Sequence, residues 1–177
     1  MLGVNGAGKT TLMRLVAGVE RPDEGTVTID GHDLWTDEVR ARRPIAYVPE
    51  QPDLTPYATV SEILSLVARL RREPAAAVAA ALAAVGLASL GDRTIRELSQ
   101  GQRRRAVVGA AMIGTPDVML LDEPLESLDA EMRRSMLVWV DSAVGRGATV
   151  LLSTHQTAPF EGKATRSLVM DAGRLVS

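Results

Sequence analysis

The sequence predicts an α/β fold with a mainly parallel sheet and a helical insertion. Continuous apolar runs at residues 118–121 and 149–153 are typical of buried parallel strands. Segments with helical periodicity alternate with such runs, and a glycine-rich loop at residues 3–11 leads directly into one of them. Buried strands that alternate with helices favour an α/β sheet.

Periodicity and turn residues predict the remaining elements. The residues from 60 to 95 are helical in pattern, with Ile63, Leu64, Val67 and Leu70 on one face and a second helix from about Pro74 to Gly86. The other predicted helices are 10–19, 102–113 and 131–144. The predicted strands are 26–30, 45–48, 118–121, 149–153, 167–170 and 174–176.

Composition excludes several classes of function. The 177 residues suit one domain. The absence of cysteine excludes disulfides, thiolate metal sites and cysteine nucleophiles. A net charge of −2 does not favour a nucleic-acid partner, and we expect the basic run 103–105 to be a solvated helix face with ion pairs. No segment has the continuous apolar length of a membrane span.

Residues 3–10, GVNGAGKT, match the phosphate-loop pattern G-x-x-x-x-G-K-[ST]. Glycines let the backbone approach phosphates, and the following helix directs its positive end at the anion. We expect Lys9 to bind the β- and γ-phosphates, Thr10 to ligate Mg²⁺ and Thr11 to bind the α-phosphate. The alternative is a glycine-rich turn with a chance lysine, but the helix follows as the pattern requires. The predicted nucleotide ligands are Gly3, Asn5, Gly6, Ala7, Gly8, Lys9, Thr10 and Thr11.

Two acids end the apolar run 118–121. Parallel strands deliver such residues to the carboxyl edge of the sheet, where ligands bind. We predict that Asp122 holds Mg²⁺ and that Glu123 is the general base that polarises the attacking water. A solvated acidic loop is the alternative, which the upstream phosphate loop disfavours.

Residues 98–102, LSQGQ, resemble the signature L-S-G-G-Q of ATP-binding cassette (ABC) ATPases, with Gln100 at the first glycine. The resemblance extends to Asp122-Glu123-Pro124, to the loop Ser127-Leu128-Asp129 and to His155, all in the family's order. It implies a P-loop NTPase (RecA-like) core at residues 1–50 and 98–177 and a helical subdomain at about 51–97, together one ATPase domain.

The resemblance also implies a mechanism. Two cassettes sandwich ATP, so that Ser99, Gly101 and Gln102 contact the γ-phosphate across the dimer interface, while His155 contacts it in cis. The implied cofactors are ATP and Mg²⁺. The implied partners are a second ABC ATPase subunit and a transmembrane permease subunit, which places the chain in the cytoplasm on the inner face of the cell membrane. Ser99 could also simply cap the helix that follows.

Two departures from the family pattern qualify these expectations, one after Pro49 and the other before the phosphate loop. Glu50 follows Pro49 where the family has glutamine; we expect it at the Mg²⁺ site, and glutamate there resembles ABC-2-type exporters. The short tail after His155 is similar to small exporter cassettes, including haem exporters.

Only Met1 and Leu2 precede the loop, whereas the resemblance implies an antiparallel β region, an adenine-stacking aromatic residue and a strand that feeds the loop. We therefore expect unpaired strand edges, and a misassigned start or a fragment. The alternatives to a transporter ATPase are a soluble ABC ATPase of DNA repair or translation and a non-hydrolysing, partner-binding remnant.

Overall fold

The computed structural model describes residues 1–176, which form two compact units. The sheet unit comprises residues 1–50, 116–124 and those from 147 onward, and the helical unit comprises residues 51–115 and 125–146. The helical unit continues to residue 115, beyond the predicted boundary at residue 97, because the helix that follows residue 97 contacts the two helices before it. The assignment of the chain to one ATPase domain stays a prediction.

A parallel sheet of three strands lies at the centre of the sheet unit, in the order β3 (Ile45–Val48), β4 (Val118–Asp122), β5 (Thr149–Ser153). Its register pairs Val48 with Leu121 and Asp122 with Ser153. β4 is buried along almost its whole length, as its unbroken apolar run predicts. The prediction of a mainly parallel α/β fold is confirmed.

Helix α1 (Lys9–Val16) follows the glycine-rich loop and contacts β4. It ends earlier than predicted, because Gly18 adopts a left-handed φ of 70° that stops the helix. Met13 of α1 belongs to a buried core cluster that also contains Leu34 and Leu120. This packing holds the start of α1 against the sheet.

The sheet unit also contains two short antiparallel hairpins. Strands β1 (Thr28–Ile29) and β2 (His32–Asp33) form the first, and β6 (Met170–Asp171) and β7 (Arg174–Leu175) form the second. The strand predicted at 26–30 is therefore shorter, its partner β2 was not predicted, and the strand predicted at 167–170 begins only at Met170. Both turns have two residues, which favours the left-handed conformation at both central positions. A short helix α2 (Glu38–Arg42) and a 3₁₀ helix (Ala158–Phe160) complete the unit.

The backbone groups of Met1 and Leu2 form hydrogen bonds with chain segments on both sides. The amino group of Met1 donates to the Leu152 carbonyl, and the Met1 carbonyl accepts from Thr154. Leu2 forms a parallel bridge with Val169. The expectation that the neighbouring strand edges are unpaired is thus wrong where these two residues lie, because their backbone supplies the missing hydrogen bonds.

The helical unit contains four α-helices. They are α3 (Val60–Arg71), α4 (Ala76–Ala84), α5 (Gln100–Met112) and α6 (Ala130–Gly145), with 3₁₀ helices at Ala88–Leu90 and Ile95–Glu97. Arg71 of α3 donates to the carbonyls of Ala111 and Ile113 and so satisfies the end of α5. Among residues 1–176, no helix combines the length and the apolar character needed to cross a membrane.

The buried face of α3 differs from the predicted one. Val60, Leu64 and Ala68 are buried at i, i+4 and i+8, whereas Leu70 is 74% exposed. At about 100° per residue, Leu70 lies about 120° around the helix from Leu64. Leu70 was therefore wrongly placed on the shared face.

Candidate functional site

The phosphate loop curls around the side chain of Lys9. Lys9 is buried, and its Nζ donates to the carbonyls of Gly3 (2.8 Å) and Val4 (3.2 Å). Gly6 and Gly8 have φ values of 81° and 98°, which other residues rarely adopt. The loop conformation therefore depends on its glycines and on the lysine beneath them.

Helix α1 begins without a side-chain cap. Gly8 occupies the N-cap position, no side chain accepts from the first turn, and the first turn has no acidic residue. The first N–H groups of a helix have no partner within the helix, and they favour an anion. The loop and the start of α1 together have the composition of a phosphate site.

Glu50 lies two residues beyond the end of β3 and contacts Thr10. The Thr10 hydroxyl donates to the Glu50 carboxylate at 3.3 Å. Two of the three residues predicted to hold Mg²⁺ are thus in contact.

Asp122 and Ser153 form a buried pair at the ends of β4 and β5. The Ser153 hydroxyl donates to Asp122 Oδ1 and accepts from the main-chain N–H of Glu123. Sequence analysis missed Ser153. Its signal is a polar residue that ends an apolar strand, but its partner is set by the register that places it opposite Asp122.

Glu123 contacts His155. His155 Nδ1 lies 3.0 Å from Glu123 Oε2, and the main-chain N–H of His155 donates to the same oxygen at 3.4 Å. The Glu123 side chain is only 11% exposed, and the His155 ring is 56% exposed. The backbone of Glu123 has φ 45°, a strained conformation for a glutamate, of the kind that clusters at functional sites.

The predicted residues of the sheet unit therefore meet at one edge. Glu50, Asp122 and His155 each lie at or beyond the carboxyl end of a parallel strand, and Met1 pairs with the end of β5 just before the phosphate loop. Among residues 1–176, no three His, Cys, Asp or Glu side chains form a group that could hold a metal by itself.

The LSQGQ segment lies in the helical unit, at the start of α5. Ser99 caps α5: its hydroxyl accepts from Gln102 N–H, and the Gln102 side chain accepts from Ser99 N–H. Gly101 lies next to the Ser127-Leu128-Asp129 loop, since a Cβ added to Gly101 would lie 3.6 Å from the Ser127 carbonyl oxygen. The capping interpretation of Ser99 is confirmed.

The basic run 103–105 differs from the expected solvated face. Arg104 is only 2% exposed, and Arg103 donates to the carbonyls of Ile95, Arg96 and Leu98. Arg105 makes an ion pair with Asp129, as expected. The expectation of a solvated face is wrong for Arg104, because its side chain is buried.

Asp129 begins α6 and belongs to the Ser127-Leu128-Asp129 loop. It accepts from Met132 N–H at 2.9 Å and pairs with Arg105. The hydrogen bond from Met132 N–H is the main cause of the lowered pKa of Asp129, and the charge of Arg105 lowers this pKa further. This loop is therefore tied to α5 by a charged contact.

Residues 1–126 match the ABC transporter family. The chain belongs to this family. Its identification from the sequence motifs is confirmed, as is its α/β fold. Among solved structures, an ATP-binding subunit of an ABC transporter has a TM-score of 0.89 and 28% identity, over 99% of this chain and 75% of the other.

Two relatives of this ABC chain carry export or resistance in their names. The Nod factor export ATP-binding protein I of Burkholderia thailandensis is 35% identical over 181 residues, which are 100% of this chain and 60% of that protein. The daunorubicin resistance ATP-binding protein DrrA3 of Streptomyces coeruleorubidus is 36% identical over 181 residues, 100% of this chain and 57% of that protein. The ABC chain thus spans about 60% of the length of such relatives.

Proposed function

We propose that this ABC chain binds Mg-ATP at the phosphate loop, hydrolyses it, and powers export through a separate membrane subunit. The contact between Glu123 and His155 is the observation that carries this proposal. A carboxylate held by an imidazole, beside the acid that ends β4, is suited to orient and deprotonate a water molecule.

Lys9, Thr10 and Thr11 would bind the phosphates, together with the backbone of Gly3, Asn5, Gly6, Ala7 and Gly8. The uncapped start of α1 supports this assignment, since its N–H groups complement a phosphate. His155, with its ring half-exposed, would contact the γ-phosphate while its other nitrogen holds Glu123.

The oxygen donors of Thr10, Glu50 and Asp122 fit Mg²⁺, which prefers hard oxygen ligands and takes few of them from the protein. Mg²⁺ would neutralise charge on the phosphates during transfer. Ser153 would hold Asp122 in its ligating orientation.

The proposed partners are a membrane permease and a second ABC subunit, at the cytoplasmic face of the membrane. Ser99 supports the role of the signature across a dimer interface, because its hydroxyl accepts from Gln102 and keeps its own proton to donate to a phosphate. The names of the two relatives, and Glu50 in the exporter-like position, support export. Among residues 1–176, no described contact favours a remnant or a soluble ABC ATPase of DNA repair or translation.

The test compares ATP binding and hydrolysis in Glu123→Gln and in the wild-type protein. We expect hydrolysis to fall by roughly 10²- to 10⁴-fold, the usual contribution of a general base, while Mg-ATP binding persists. Retained hydrolysis in Glu123→Gln would contradict the assignment. Co-purification with a membrane protein, rather than with ribosomes or DNA, tests the transporter role separately.

A further inference from the structure

The second hairpin contacts the beginning of the phosphate loop. Leu2 N–H donates to the Leu168 carbonyl at 2.7 Å, and Met170 N–H donates to the Leu2 carbonyl at 2.8 Å. A Cβ on Gly3 would lie 2.5 Å from the Met170 carbonyl oxygen, so the backbones touch and only glycine fits. We call residues 168–175 the C-terminal hairpin.

The turn of the same hairpin contacts the end of the loop. Gly173 N–H donates to the Ala7 carbonyl at 3.0 Å. A Cβ on Gly8 would lie 3.3 Å from Gly173 Cα and 3.3 Å from Met170 Cε. The C-terminal hairpin therefore holds the loop at both ends.

These bonds decide where the N–H groups of the loop point. The C=O and N–H of a trans peptide point in opposite directions in one plane. Because Gly173 holds the Ala7 carbonyl, the Gly8 N–H of the same peptide points away from the hairpin. In the same way, Met170 holds the Leu2 carbonyl and directs the Gly3 N–H away from itself.

We propose that the turn of the C-terminal hairpin, and Gly173 above all, positions the phosphate loop for nucleotide binding. Gly173 acts through Ala7 and contacts no phosphate itself. This inference rests on the proposed nucleotide-binding role of the loop. If the bond to Ala7 is lost, the loop samples other conformations, and the apparent affinity falls with the fraction of competent molecules.

The conformation of Gly173 makes the proposal testable. Its φ is 79°, and a Cβ there would meet no atom within 4 Å. A β-branched residue at this position would strain the backbone although its Cβ meets no neighbouring atom, whereas asparagine tolerates the left-handed conformation.

The first hairpin offers a matched control. Its turn, Asp30-Gly31, has φ values of 50° and 78°, against 44° and 79° for Ala172-Gly173. A Cβ on Gly31 would also meet no atom within 4 Å. Gly31→Val therefore imposes the same strain on a two-residue turn that, among residues 1–176, makes no described hydrogen bond to the phosphate loop.

The experiment measures Mg-ATP Kd by calorimetry, and KM and kcat for hydrolysis, well below the melting temperature. We expect Gly173→Val to raise Kd and KM by roughly tenfold with kcat at saturating ATP unchanged. Gly173→Asn restores values near wild type, and Gly31→Val leaves Kd unchanged although it lowers the melting temperature comparably. If Gly173→Val does not fold, Gly173→Ala carries the test with a smaller increase in Kd.

Equal Kd values for Gly173→Val, Gly173→Ala and Gly31→Val would overturn the positioning role, provided that Lys9→Ala strongly weakens ATP binding. An affinity of Lys9→Ala within about twofold of wild type would instead overturn the proposed function of the loop. A loss of kcat alone would show that the hairpin is structural only, and would also overturn the inference.

Discussion

Three helix starts of the helical unit differ from the start of α1 in the sheet unit, whereas α4, like α1, has neither a side-chain cap nor an acid in its first turn. In the helical unit, three helix starts carry reciprocal capping boxes, in which a hydroxyl and a carboxylate or amide side chain satisfy each other's backbone N–H groups. The pairs are Thr59 with Glu62, Thr94 with Glu97, and Ser99 with Gln102. In the sheet unit, α1 begins at Gly8 with no side-chain cap and no acid in its first turn.

The missing cap marks a ligand site at α1 only together with the glycine-rich loop and Lys9, because α4 is also uncapped. Capping boxes satisfy the N–H groups that a helix leaves without partners, so those helices are complete without a ligand. The start of α1 leaves the same groups to an external anion, with the charge of Lys9 next to them. The start of α5 shares features of both, because Ser99 caps the helix and still has a hydroxyl proton to donate.

The largest effect is expected when the lysine of the phosphate site at α1 is removed. Lys9→Ala should weaken Mg-ATP binding by roughly 100-fold, because hydrogen bonds to charged groups contribute about 1.5–3 kcal/mol each. Calorimetric titration checks this, with Lys163→Ala, at an exposed lysine, as the control. An affinity within twofold of wild type would mean that the lysine beneath the loop does not bind the nucleotide.

A smaller effect should come from giving α1 the acid that it lacks. Thr11→Glu places a carboxylate in the first turn, where it should stabilise the protein without nucleotide by about 0.3–1 kcal/mol through the helix dipole. The same charge repels phosphate, so Kd for ATP should rise by roughly tenfold. Thermal unfolding with and without ATP measures both effects, and Thr11→Gln isolates the charge. The prediction requires that the stability without nucleotide rises while the affinity for ATP falls.

Two caps of the helical unit can be compared with each other. Ser99→Ala and Thr59→Ala should each lower the free energy of unfolding by about 1 kcal/mol. Only Ser99→Ala should also reduce ATP hydrolysis, because only Ser99 is proposed to reach a phosphate. Denaturant unfolding and hydrolysis assays measure the two quantities. Equal losses of hydrolysis would show that Ser99 contributes stability alone.

The smallest effect concerns the box at Thr94. The Thr94 hydroxyl, and then its N–H, lower the pKa of Glu97 from 4.5 to about 2. Because the folded pKa lies below the unfolded one, this box stabilises the protein above about pH 4.5, and the contribution is lost as the pH falls towards 2. Thr94→Ala should return the pKa towards its ordinary value, as followed by NMR titration. An unchanged titration of Glu97 would contradict the capping contact.

Much of this protein follows from its sequence because the signals are local. The apolar runs predicted strands β3 and β5 at their observed bounds and β4 to within a residue, and the phosphate-loop pattern located the start of α1 to within a residue. Only the first strand of the β1–β2 hairpin was predicted, because a two-residue strand carries too few side chains for a period to be detected. The roles of the site residues stay predictions.

The contacts that complete the site were not predictable, because they join distant residues. Ser153 meets Asp122 across 31 residues, and Arg71 satisfies α5 across 40 residues or more. Arg104 is polar in sequence and buried in the fold. Each of these depends on strand register or helix packing, which no single segment encodes.

The sequence alone determined which chemical groups are present and which elements carry them, because periodicity, turns and the phosphate-loop pattern act over a few neighbouring residues. The tertiary structure decided which groups meet: Glu123 with His155, Asp122 with Ser153, and Gly173 with Ala7. The physical reason is that parallel strands in register bring their carboxyl ends, and the backbone groups beyond them, to one edge of the sheet.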